Sequence, residues 1–178
     1  MSTERGGRPP SVLESPDVPG AAPTDALTGP LTGTATGAVA GGPAELWVER
    51  TGTRTYTGYS SRGAQVSIGP VEAGAVFTPG ELLKIALAGC TGMTSDAALA
   101  RRLGDDVAVT VRVSSVAHPE EDRYTDLHEE LVVDLSGLDD AARTRLLTVV
   151  QRSVEQSCTI ANTLTRGARV HLNVVEEV

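Results

Sequence analysis

The sequence predicts an α+β fold in which helices pack on antiparallel sheet, and three observations lead there. Short strand-like segments come in groups joined by turn residues. The segment "ELLKIALAGCTGMTSDAALARR", Glu81 to Arg102, is apolar on nearly every side and far too long for a strand. A second long segment, "LDDAARTRLLTVVQRSVEQSC", repeats apolar residues at steps of three or four.

The elements follow in order. "AELWVERTG", "TRTYTGYSS" and "RGAQVSIGP" read as strands, and "RTGTR" and "SSRGA" supply the turns of a meander over about 44–69. "VFTPGELL" places Pro79 where a helix starts, and that helix runs to about Leu103. "DDVAVTVRVSSVAH" and "DRYTDLHEELVVDLSG" form two strands around "HPEED". The second helix carries Asp139 and Asp140 at its positive end. "TIANTLTRG" continues as helix and stops at Gly167. "ARVHLNVVEEV" reads as a closing strand, giving the order β-β-β-α-β-β-α-β.

Residues 1–43 stand apart. They hold seven of the ten prolines and eight of the nineteen glycines, and no aromatic residue. Such a segment buries too little apolar surface to offset its ordering entropy, so a disordered tail is expected there, with one domain over 44–178. The 178 residues suit a single domain with a real core.

Composition excludes several classes. The formal net charge is -8 and no Lys/Arg cluster occurs, which argues against nucleic acid or an anionic membrane as partner. The uncharged run Ile85 to Ser95 falls well short of the ~20 residues a membrane span needs. No basic start followed by an apolar stretch marks a secretory leader, so a cytoplasmic protein is expected. Two cysteines make no disulfide scaffold. His118, His128 and His171 have no zinc-site spacing, so no metal or bound cofactor is expected.

The chemistry rests on the two cysteines. Cys90 lies about three turns into the first helix, beyond the reach of that helix's own dipole. On helix pattern alone it reads as a small buried residue, because a thiol in apolar surroundings is inert. A nucleophilic role requires a cation brought from elsewhere. Cys158 continues the inward period of Leu147, Val150 and Val154; alternatively the helix breaks near Ser157 and places Cys158 at a new N-terminus, where a thiolate is favoured. Either way both cysteines face inward from separate helices. Gly89 and Gly92 each cost helix propensity of about 1 kcal/mol against Ala, and one domain of short strands leaves this helix incompletely covered. A homodimer with the helix near the interface is the expected compensation.

Taken together, "GTRTYTGYSSRGAQVSIG", "TPGELLKIALAGCTGMT" and "EQSCTIANTLTRGARV" resemble the OsmC/Ohr family, the osmotically inducible and organic hydroperoxide resistance proteins, over about 44–178. The resemblance implies an intertwined homodimer with two long central helices against wrapped antiparallel sheets. It implies a thiol-dependent peroxidase acting on organic hydroperoxides. Cys90 would attack the peroxide and become a sulfenic acid. Cys158 would condense with it to a disulfide, and an external dithiol such as dihydrolipoamide, free or on a lipoylated protein, would reduce the bond. It also assigns Arg54, nine residues before Gly63, as the guanidinium beside the reactive sulfur, in preference to Arg50 and Arg62. Many members carry Glu directly after the motif proline, whereas here that position is Gly80 and the acid is Glu81, as in other branches. On one straight helix Glu81 lies about 13 Å along the axis from Cys90 and about 180° around it, so it reaches the site only by orienting Arg54 or across a subunit boundary. Otherwise it is a favourable N-terminal charge. The alternative to an enzyme is a redox-sensing or ligand-binding domain of the same fold with little turnover.

Overall fold

The computed structural model describes residues 44–176. The expected tail, 1–43, lies outside the described residues. β1 (Leu46–Gly52), β2 (Thr55–Ser60) and β3 (Gln65–Ile68) form an antiparallel meander in that order. Trp47 pairs with Tyr59 across β1 and β2, and their rings stack at 5.5 Å between centroids. Cross-strand aromatic contact of this kind fixes register. Gly63 turns β2 into β3 at a φ of 91°, a conformation that glycine adopts without steric cost.

A 3-10 turn, Val71–Ala73, leads into α1 (Pro79–Leu103). The first turn of α1 closes on itself. Thr78 Oγ1 accepts from the Glu81 N–H at 3.2 Å, and Glu81 Oε2 accepts from the Thr78 N–H at 2.8 Å. This reciprocal box satisfies two of the helix's free donors. The buried stripe of α1 is Leu87, Thr91, Ser95 and Leu99, at steps of four. Ser95, sealed from solvent, donates back to the Thr91 carbonyl at 2.7 Å, so its hydroxyl costs nothing inside.

β4 (Val109–Ser114) and β5 (His128–Val133) pair antiparallel and alternate inward and outward. Val109, Leu131 and Val133 meet Leu99 of α1 and Leu146 and Val150 of α2 (Asp140–Ser157), which makes the core. α2 starts on Asp139, whose Oδ1 accepts from the Ala142 N–H at 2.7 Å. α3 (Thr159–Arg166) follows after a single residue, Cys158.

One open alternative is decided and one expectation needs correction. The second helix breaks at Cys158, the second of the two readings. The closing strand does not form. Residues 168–176 have no regular structure, and Val170, Leu172 and Val174 are 92%, 86% and 90% exposed. Their alternation suits a strand, but a strand needs a ladder partner, and among the described residues no strand of either sheet pairs with this segment.

The uncovered apolar surface is extensive. On α1, Ile85 and Met93 are exposed, the latter at 83%. On the meander, Leu46, Val48, Val66 and Ile68 wall an open hollow of about 550 Å³. Among the described residues, no helix is long and apolar enough to cross a membrane.

Replacing Thr78 by Ala should remove the cap and lower stability by about 1 kcal/mol, read as a lower urea midpoint with unchanged slope.

Candidate functional site: a thiol pair at a helix break

The site arises from the break between α2 and α3. The Cys158 N–H donates to the Val154 carbonyl at 3.0 Å and ends α2. The Cys158 carbonyl accepts from the Asn162 N–H at 3.0 Å and begins α3. Its sulfur accepts from the Ala161 N–H at 3.4 Å, the place an N-cap oxygen usually takes. Cys158 is fully buried and Cys90 half-buried, and both are free thiols.

The two thiols influence each other's protonation, in opposite directions. Burial pushes the Cys90 thiol up. Against it act the Cys158 thiol donating a hydrogen bond, the backbone N–H groups of Ile160 and Thr159, and the Thr94 hydroxyl. Their sum holds Cys90 below the ordinary cysteine range. Cys158 moves the other way. Burial raises it, and so does giving its hydrogen bond to Cys90, outweighing the Ala161 amide and the Thr91 hydroxyl. Of the two, Cys90 is the thiol that loses its proton more readily.

The start of α3 thus favours the charged form of a cysteine, but that cysteine is Cys90 and not Cys158. Amides that α2 would have consumed, had it continued, are turned toward a sulfur on another helix. Cys90 lies too deep in α1 to use that helix's own dipole and borrows that of α3 instead.

The other two expected residues lie elsewhere in the protomer. Arg54 sits in the β1–β2 turn, exposed, at a φ of 58°. It lines a cavity with Pro79 and Gly80 at the start of α1. No guanidinium is among the described groups that shift Cys90. Glu81 is spent on the capping box. The Thr78 N–H and then the Thr78 hydroxyl hold its carboxyl below the usual range. Among the described residues it makes no ion pair with Arg54. The spacing Thr78-Pro-Gly-Glu81 is itself the sequence signature of a capping box, so this role was open to local reading. The amides of Thr159 and Ile160 carry no side-chain signal and were visible only through the possibility of a break near Ser157.

Residues 72–173 match the family model described as OsmC-like protein. Over 132 residues the chain is 54% identical to uncharacterized proteins of Mycobacterium tuberculosis and Mycobacterium bovis, spanning 74% of this chain and 96% of each relative. Among solved structures, a hypothetical protein from Aquifex aeolicus is similar at a TM-score of 0.56 and 17% identity, covering 70% of this chain and 89% of that one. An OsmC like protein from Mycoplasma pneumoniae is similar at a TM-score of 0.52 and 14% identity, with the same two coverages. At such identities the likeness is one of fold.

The pH dependence of alkylation should separate the thiols. The Cys90 rate should rise through an inflection below that of an ordinary cysteine, and Cys158 should react only at higher pH. In Cys158→Ala the donated hydrogen bond is gone, so the Cys90 inflection should move to higher pH; an unmoved profile would show that the pair is not coupled.

Proposed function

The chain belongs to the OsmC-like protein family, and from that membership we propose that it is a thiol-dependent peroxidase acting on organic hydroperoxides. The observation that carries this reading is the opposite bias of two adjacent thiols. An inert structural pair has no need of opposite biases, whereas a nucleophile and its resolving partner are served by them.

The Cys90 thiolate attacks the terminal peroxide oxygen. The O–O bond breaks, the alkoxide takes a proton and leaves as the alcohol, and Cys90 becomes a sulfenic acid. The Cys158 sulfur then attacks the Cys90 sulfur. An S–S bond forms, and the hydroxyl leaves with a proton as water. An external dithiol of the dihydrolipoamide kind, free or carried on a lipoylated protein, takes up the disulfide and restores both thiols. Arg54 has the role of stabilising the departing oxygen, and Glu81 that of supporting the helix entrance. A reducing cytoplasm suits such a cycle.

The exposed apolar stripe of α1 and the unpaired segment 168–176 support a homodimer in which a second copy covers both. Light scattering at micromolar concentration should give twice the protomer mass, and deleting the chain after Gly167 should shift it toward one.

One observation favours the sensing alternative: no described cation faces Cys90 in the protomer, so attack could be slow. The test is loss of cumene hydroperoxide with dihydrolipoamide as reductant. The enzyme reading expects multiple turnovers, abolished in Cys90→Ser, and single-round overoxidation in Cys158→Ser. Arg54→Ala should lower kcat/KM on the order of 100-fold, the usual loss for one such donor. Wild type that oxidises once and stops would instead make it a sensor.

A further inference from the structure

Several threonines of these helices bond back to their own helix. Thr144, Thr148, Thr163 and Thr165 each donate the hydroxyl to the carbonyl four residues earlier, at 2.8 or 2.9 Å. Thr91 does not. It lies on the buried stripe of α1 at 5% exposure, and its hydroxyl has no hydrogen-bond partner among the described residues. A buried donor left unpaired is costly, so the group opposite it matters.

Helix register identifies that group. Leu99 packs with Leu146 and Val150, whereas Cys90 lies beside the amides of Thr159 and Ile160, so α1 and α2 run in opposite directions. Facing rows on the two helices advance in steps of four, as packed helix ridges do. On α1 the row is Leu99, Ser95, Thr91, and on α2 it is Val150, Val154, Cys158. Each row rises about 12 Å along its axis, which brings Thr91 level with the fully buried Cys158. The protonation of Cys158 agrees. Burial and the Cys90 thiol raise it, and the Ala161 amide and the Thr91 hydroxyl act the other way. Cys90 is the one titratable group among those described as acting on Cys158.

We propose that Thr91 is a positioning residue for the second half of the reaction, its hydroxyl donating to the Cys158 sulfur as that sulfur attacks Cys90. The proposal rests on the peroxidase reading of the site. A neutral thiol sulfur is a weak acceptor and leaves the hydroxyl nearly unpaired. A thiolate is a much stronger one. The hydrogen bond therefore strengthens as Cys158 gives up its proton, which is the moment at which it aids the step. The Cys158 sulfur bonds to the sulfur of the Cys90 sulfenic acid and the S–O bond breaks. The departing hydroxide takes the proton that Cys158 released and leaves as water. The resolving sulfur is thus held between two donors, the Ala161 amide of α3 and the Thr91 hydroxyl of α1.

The experiment removes the hydroxyl while keeping the shape of the side chain. In Thr91→Val, disulfide formation after one equivalent of cumene hydroperoxide should slow on the order of tenfold, the loss expected for one hydrogen bond to a charged group. Overoxidised Cys90 should accumulate in mass spectra, while the first oxidation of Cys90 keeps its rate. Thr91→Ser should restore disulfide formation, and Thr91→Ala should behave as Thr91→Val. The NMR shift of the Cys158 Cβ carbon, followed against pH in Cys90→Ala, reads the contact without turnover and without a reagent reaching the buried sulfur. Adding Thr91→Val should move its inflection to higher pH, because a donor to the charged form is lost. An unmoved inflection, unslowed disulfide formation, equal slowing of both steps, or no recovery in Thr91→Ser would overturn the proposal. An inflection that moves in a protein whose wild type forms no disulfide would refute the peroxidase reading and leave the Thr91 contact standing.

Discussion

The lowered pKa of Cys90 depends in part on one interruption of a helix. At Cys158 the backbone stops one ladder of hydrogen bonds and starts another. The residues that open the second ladder have N–H groups with no carbonyl behind them. Two of those residues, Thr159 and Ile160, present their amides to Cys90. Had α2 run on, those two amides would have been used within the helix and would not lower Cys90. Part of the bias on this side chain is a property of the backbone of a different element.

That dependence explains what could be read in advance and what could not. The meander, α1, β4, β5 and α2 were legible because period and turn chemistry are local. The inward direction of both cysteines was legible from the same period. The direction of the activating amides was not, because it depends on where a helix stops, and Ser157 and Cys158 give only weak local stop signals. The segment 168–176 misled for the opposite reason. Val170, Leu172 and Val174 alternate as a strand should, but alternation states a preference and pairing is non-local.

The distribution of apolar surface follows from the same economy. Buried apolar residues such as Leu99 and Leu146 gather where α1 and α2 lie on β4 and β5. The other side of α1 and a face of the meander keep apolar side chains in water. An ordinary monomer carries exposed apolar residues singly, not as stripes along a long helix together with an unpaired alternating segment.

Cys158 also makes the secondary structure chemically addressable. Its sulfur is the cap of α3, a part usually played by an oxygen that never changes valence. Forming a covalent bond to that sulfur fixes its direction by bond angles, in competition with the contact to the Ala161 amide. The start of α3 therefore feels whether the thiol is free. A helix of only eight residues, with Leu164 on the cavity wall and the apolar C-terminal segment attached beyond it, has little reserve to absorb a weakened cap. A covalent bond to the Cys158 sulfur would therefore act directly on the cap of α3.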